Sequence, residues 1–117
     1  MHEFSLCETL VETALSNVAA THPDARISRV RVVAGDLRQI VPENLQFAYE
    51  TLTRGTAAEG SQLEIRTVPI TCRCSACDWE GTIDDAVFMC PECNAKTLQT
   101  LTGKELYLES LEIETNE

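Results

Sequence analysis

The chain has 117 residues, 44% of them apolar, and a formal charge of −10 from 9 basic against 19 acidic side chains. That size is one domain, or one domain with a small appendage, and the apolar content suits a packed core. The acidic balance opposes nucleic-acid and anionic-membrane partners, no apolar run reaches the roughly 20 residues of a membrane helix, and the opening MHEFSLCETL lacks the features of a secretory signal, so the chain reads as soluble and cytoplasmic.

Cys7, Leu10, Val11, Ala14, Leu15 and Val18 share one face of a predicted first helix. Ser5 and Glu8 have the spacing of a capping box. This predicts a start near Leu6 and leaves residues 1–4 outside as a short free end. The helix is expected to fade near Thr21, before His22-Pro23. Cys7 on the apolar face reads as a small buried hydrophobe. Glu8 and Glu12 form an acidic flank, either a solvated face or a place for a partner.

Residues 29–34 (RVRVVA) predict a strand, closed by Gly35-Asp36. Pro42 suits a first helical turn, Leu45, Ala48, Tyr49 and Leu52 share a face, and Gly55 is a stop, so a second helix follows. Leu63 and Ile65 alternate with Glu64 and Arg66 in a strand expected to run to about Thr71. Residues 105–114 (ELYLESLEIE) alternate again, with a phase shift at Glu109-Ser110 that suggests a β-bulge.

Between these strands residues 72–95 read CRCSACDWEGTIDDAVFMCPECNA. The segment is too short and too poor in aliphatic side chains for a core of its own, and modules of that size usually need metal or disulfides. The expected fold is therefore α+β: a small mixed sheet of about three strands with two helices, plus an inserted zinc-ribbon module. Residues 1–71 and 97–117 form the α/β domain and residues 72–96 the ribbon.

Five of the six cysteines lie between Cys72 and Cys93. Cys74 with Cys77 and Cys90 with Cys93 are two C-x2-C pairs separated by 12 residues. Each pair places two thiolates at a hairpin tip, and Asp78 and Asn94 after them tolerate the left-handed backbone such turns need. Four thiolates suit tetrahedral Zn(II), with rubredoxin-like iron as the competitor at the same sulfurs. Four thiolates leave no open position, which makes the ion structural and not catalytic. Cys72 is expected to be a spare thiol at a strand end. Trp79, Ile83, Val87 and Phe88 are expected to be the ribbon's apolar packing.

The first residues are Met1-His2-Glu3. Initiator Met is normally kept before a bulky residue, so the α-amine is expected on Met1. An amine, the amide nitrogens after it and an imidazole at position 2 form fused chelate rings that suit Ni(II) or Cu(II). Taken alone, a histidine at position 2 is more often a solvated terminal residue than a ligand.

MHE at the start, the segment GDLRQIVPENLQFAYE and the C-x2-C-x12-C-x2-C pattern together resemble the HypA/HybF family of hydrogenase nickel-insertion proteins. The resemblance runs from Met1 to about Ile113. It implies a nickel metallochaperone, not an enzyme, that serves assembly of the [NiFe]-hydrogenase active site. It implies Ni(II) at Met1 (amine), His2 (imidazole and amide) and Glu3 (amide and support), and structural Zn(II) at Cys74, Cys77, Cys90 and Cys93. The implied partners are the HypB GTPase and the large subunit of the hydrogenase, with the protein itself a monomer or weak dimer. Cys72, and Asp78 and Asn94 where glycine is common in the family, depart from the pattern. Gly103-Lys104-Glu105 lacks the rest of a P-loop, so nucleotide hydrolysis is not encoded.

Three rivals remain at this point. An enzyme would have to use Cys7 or Cys72 with His2 or His22. A nucleic-acid ribbon is opposed by Asp78, Glu80, Asp84, Asp85 and Glu92 against Arg73 and Lys96. A structural adaptor would bind no nickel and ignore His2→Ala.

Overall fold

The structure is a computed structural model that describes residues 2–84 and 88–115, and of His2 the backbone alone. The elements in chain order are α1 (His2–Thr21), β1 (Arg26–Gly35), a 3-10 turn (Asp36–Arg38), α2 (Pro42–Thr53), β2 (Gln62–Val68), β3 (Thr71–Cys74), β4 (Glu80–Thr82), β5 (Leu98–Thr102) and β6 (Leu106–Glu114). They fall into two compact units. One holds residues 1–33, 40–66 and 107–117, the other residues 34–39 and 67–106. The second unit extends on both sides of the 72–96 module expected from composition.

The first unit carries a three-stranded sheet in the order β2-β1-β6, with α1 packed on α2. Its core takes Cys7, Val11, Ala14 and Val18 from α1, Val30, Val32 and Val33 from β1, and Leu45, Ala48 and Tyr49 from α2. These are the apolar faces that the helical periodicity marks. The sheet's polar side is an ion network: Arg29 with Glu64 and Glu112, Arg31 with Glu64, and Arg66 with Glu109, at 2.9 to 3.1 Å. Such exposed pairs add little stability, but they neutralise this face.

The α1 start departs from expectation. The helix begins at His2 and not near Leu6, so Ser5 and Glu8 lie inside it and form no capping box, and Glu3 and Phe4 are not a free end. The cause is tertiary. Glu3 is 5% exposed, and its carboxylate accepts the backbone N–H of Val41 at 3.1 Å. Val41 is the N-cap of α2. An acid in the first turn also complements the helix dipole. The other end is as expected, with His22 N–H closing on Val18 O at 2.7 Å.

β1 begins three residues earlier than RVRVVA suggests, and Ile27 N–H donates to Ala57 O at 2.8 Å. α2 has Pro42 in its first turn, and Gly55 takes a φ of +75° just beyond its end. β2 stops at Val68 and does not reach Thr71. Pro69 cannot donate to a ladder, and Thr71 opens β3 in a different sheet. In β6 both Glu109 and Ser110 are exposed while Leu108 and Leu111 are half-buried, which is the expected phase shift.

The second unit is an antiparallel sheet in the order β4-β3-β5. Cys72 pairs with Gly81 on one side and Thr100 on the other. Trp79 lies over Gly81, where a Cβ would meet the indole at 2.7 Å. Trp79 and Ile83 are half-buried, but Phe88 is 40% exposed and is not ribbon packing as expected; Val87 lies outside the described residues. Among the described residues the buried apolar side chains here are Ala34, Ile70, Cys72, Cys74 and Cys90. Three of the five are cysteines, so the unit has little hydrophobic core.

Gly35 in this unit presses on Gly103. Its N–H donates to Glu105 O at 2.7 Å, Leu37 N–H donates to Gly103 O at 2.9 Å, and a Cβ on Gly35 would fall 2.1 Å from the Gly103 carbonyl. Gly35→Ala is therefore expected to destabilise the protein by about 1–3 kcal/mol through overpacking, read as a lower urea midpoint. No helix among the described residues is long and apolar enough to cross a membrane.

Candidate metal centre

The Sγ atoms of Cys74, Cys77, Cys90 and Cys93 all lie within 4.8 Å of one another. The two C-x2-C segments reach this geometry by the same local device. Cys74 N–H donates to Trp79 O at 2.7 Å, and Asp78 N–H returns to Cys74 O at 2.9 Å. Cys90 N–H donates to Ala95 O at 3.0 Å, and Asn94 N–H returns to Cys90 O at 2.9 Å. The turn residues Asp78 and Asn94 have φ of 63° and 59°. Both are the left-handed positions expected from their residue types, since Asp and Asn tolerate that region.

Across the site Cys74 Sγ is 3.7 Å from Cys93 Sγ, and Cys77 Sγ is 3.6 Å from Cys90 Sγ. A disulfide would bring sulfurs to about 2.05 Å. Sulfurs on a tetrahedron of radius about 2.3 Å stand about 3.8 Å apart. The separations fit four ligands of one ion and exclude two disulfides.

Charge supports the same conclusion. The Cys74 thiol is lowered to about 6, first by the Thr97 hydroxyl 3.5 Å from its sulfur and further by the N–H groups of Ala76 and Cys77. At Cys77, an exposed residue, the Trp79 N–H favours the thiolate, yet partial desolvation and the sulfurs of Cys90, Cys93 and Cys74 outweigh it and push the thiol up to about 12. Four thiolates this close repel one another unless a cation sits among them. The donor set is soft and tetrahedral, which fits Zn(II).

Thr97 was not marked by sequence reasoning. Its carbonyl accepts Ser75 N–H at 3.2 Å and the Ser75 hydroxyl at 3.3 Å, so it ties the first hairpin tip to the strand after the second. No short motif announces such a residue. Cys72 is inside β3, fully buried, and is not one of the four converging sulfurs. Cys7 is 1% exposed, and burial pushes its thiol up to about 11, as expected of a small core hydrophobe.

At the other predicted site, Met1 and the His2 side chain lie outside the described residues. Glu3 is placed in the first turn of α1, its carboxylate held on Val41. Glu8 and Glu12 are exposed further along the same helix.

Comparison with known proteins gives a consistent result. A family model described as "Hydrogenase/urease nickel incorporation, metallochaperone, hypA" matches residues 1–113. The hydrogenase maturation factor HypA of Acidithiobacillus ferrooxidans is 38% identical over 114 residues, covering 97% of this chain and 100% of that one. The factor of the same name from Picosynechococcus sp. is 40% identical over 114 residues, covering 97% and 99%. Among solved structures, the Ni metallochaperone HypA from Helicobacter pylori has a TM-score of 0.64 at 22% identity, covering 97% and 98%. A second solution structure, titled as that of HypA protein, has a TM-score of 0.69 at 23% identity, covering 99% and 98%. Both structures share the fold.

Proposed function

Because the chain belongs to the HypA family, nickel metallochaperones of hydrogenase maturation and not catalysts, we propose that it carries Ni(II) on Met1, His2 and Glu3 and is held in shape by Zn(II) on Cys74, Cys77, Cys90 and Cys93. The observation that carries this reading is the family match over residues 1–113, which spans both sites. Hydrogenase maturation follows from that membership. The residues, the delivery step and the metal identities are the further proposal.

The start of α1 favours the nickel site. Adjacent backbone nitrogens close a five-membered chelate ring only when the N–Cα–C–N torsion, which is ψ, is close to zero. Helical ψ is about −42°, whereas extended backbone is near +135°. A helix that begins at His2 therefore brings the His2 and Glu3 amide nitrogens closer to chelating geometry than an extended backbone does. The imidazole of His2 adds a ring through its own amide. The Glu3 carboxylate, bonded to Val41, fixes the turn that offers these donors. The ligands are few and terminal, which lets a partner dismantle the site. Copper would bind the same donors more tightly by the Irving–Williams order, so selectivity rests on delivery. The partners of that delivery are the HypB GTPase and the [NiFe]-hydrogenase large subunit. Clustered thiols suit a reducing compartment, and we place the protein in the cytoplasm.

Zn(II) on the four sulfurs would supply charge neutralisation and cross-linking, with no open coordination position. It is thus a structural ion. The test of the whole reading is a Ni(II) titration of zinc-loaded protein with an unextended Met1, followed by calorimetry. One nickel per chain is expected, with protons released on binding. Protons compete with the metal for imidazole and amide nitrogens, so affinity falls as pH drops past the ordinary imidazole pKa of about 6.5. Absence of a stoichiometric site, or an affinity indifferent to pH, would overturn the reading in favour of a zinc-held adaptor.

A further inference from the structure

The start of α1 and the middle of α2 enclose a pocket of about 250 Å³ lined by Glu3, Phe4, Asn44, Phe47 and Ala48. Its two rings are exposed, Phe47 at 66% and Phe4 at 36%. Phe47 stands off the buried face of α2, which is Leu45, Ala48, Tyr49 and Thr53, so core packing does not account for it. A dry cavity of about 150 Å³ accepts a benzene ring; this one is large enough for a leucine or phenylalanine side chain.

The two helices that form the pocket carry one sign of charge. The segments HEFSLCETLVETALSNVAAT and PENLQFAYETLT hold five glutamates and no lysine or arginine. Glu8, Glu12, Glu43 and Glu50 are all exposed. Glu43, Phe47 and Glu50 follow at i, i+4 and i+7, so the ring is flanked by carboxylates on its own helix face. The ion-paired sheet face, by contrast, is balanced by Arg29, Arg31 and Arg66. A second copy of this chain is a poor occupant, because a two-fold contact would set acid against acid.

We infer that this pocket docks a basic amphipathic segment of a partner protein, which seats one apolar side chain between Phe4 and Phe47 and ranges Lys or Arg over Glu8, Glu43 and Glu50. The mode is helix-in-groove recognition with an electrostatic rim. Glu3 forms one wall, so an occupant lies against the end proposed to hold nickel. That consequence rests on the nickel reading, while the docking itself does not.

The test uses zinc-loaded, nickel-free protein, so failure of nickel binding leaves it intact. The probe is a dye-labelled peptide of about 14 residues, four helical turns, with leucine at i, i+3, i+4 and i+7 and lysine elsewhere. A scrambled peptide of the same composition is the control. Phe47→Ala is expected to weaken the amphipathic peptide about tenfold or more, as truncating an interface anchor does. Phe47 is exposed, so this variant should keep its melting temperature. Glu43→Gln with Glu50→Gln is expected to weaken binding several-fold at about 0.05 M salt and little at about 0.5 M, where screening shortens to roughly 4 Å. Equal binding of the scrambled peptide, or affinity unchanged by Phe47→Ala, would overturn the proposal and leave unspecific charge adsorption. A concentration-dependent dimer lost in Phe47→Ala would also overturn it, making a second copy the occupant.

Discussion

His2→Ala is expected to abolish stoichiometric nickel binding, with a loss of affinity beyond about a hundredfold. Removing even an outer partner of a metal ligand typically costs ten- to a hundredfold, and this change removes a proposed ligand together with its chelate ring. The substitution is also clean. Position 2 opens α1, and alanine is the better helix former, so the fold and the four-sulfur site should be unaffected. Calorimetry and the visible ligand-field spectrum of the two proteins, side by side, check it. A companion protein with one residue added ahead of Met1 keeps the imidazole but moves the α-amine, and should also lose the site. Equal binding by all three would move nickel to the cysteines or elsewhere. No binding by any would favour the adaptor.

The second large effect is at the four sulfurs. Stripping the metal with a strong chelator, or replacing Cys90 by serine, is expected to unfold β3, β4 and β5 while α1, α2 and β1 persist. The second unit has among its described residues only Ala34, Ile70 and three cysteines as buried apolar side chains. Burial of two such non-cysteine side chains stabilises by about 2–4 kcal/mol, while a structural zinc in a small finger contributes about 10–16 kcal/mol. The ion therefore outweighs the apolar burial of this unit. Amide spectra should show loss of dispersion for residues 71–102 and retention for the buried positions around Val32 and Leu45. Cys72→Ser is the contrast, because Cys72 is buried in β3 but outside the cluster. It should lower stability modestly and leave one metal per chain. If β3 to β5 survive metal removal, the ion is dispensable. Metal analysis separates zinc from iron at the same thiolates, since ferric thiolate is intensely coloured.

What the sequence revealed was local. The C-x2-C turns follow from residues within six positions of one another, and Asp78 and Asn94 adopt the positive φ that their side chains tolerate. α2 carries its own start signal in Pro42 and its own stop in Gly55. What stayed hidden was distant in the chain. The α1 start is set by Val41, 38 residues from Glu3, and a capping-box pattern at Ser5 and Glu8 loses to that contact. The end of β2 is visible as Pro69, but the transfer of Thr71 to another sheet depends on where β4 and β5 lie. Apolar composition misled at Phe88, which is exposed. Phe47 was legible in principle, since it stands off the 45, 48, 49, 52 face of its helix. The nickel residues came from resemblance, not from spacing, because a histidine at position 2 has no partner motif nearby.

Within each C-x2-C pair the first cysteine is buried and the second exposed: Cys74 and Cys90 inside, Cys77 and Cys93 outside. An ion held by this set has a front and a back. Water, chelators and oxidants can approach only the outer two thiolates, and the inner two stay shielded by the strand and turn that present them. Ligand loss would thus begin at Cys77 or Cys93 and leave the ion on a buried two-sulfur anchor from which the outer thiolates can close again. Opening at the surface would then be a reversible fluctuation of the site, and complete departure of the metal would wait on the slower exposure of Cys74 and Cys90.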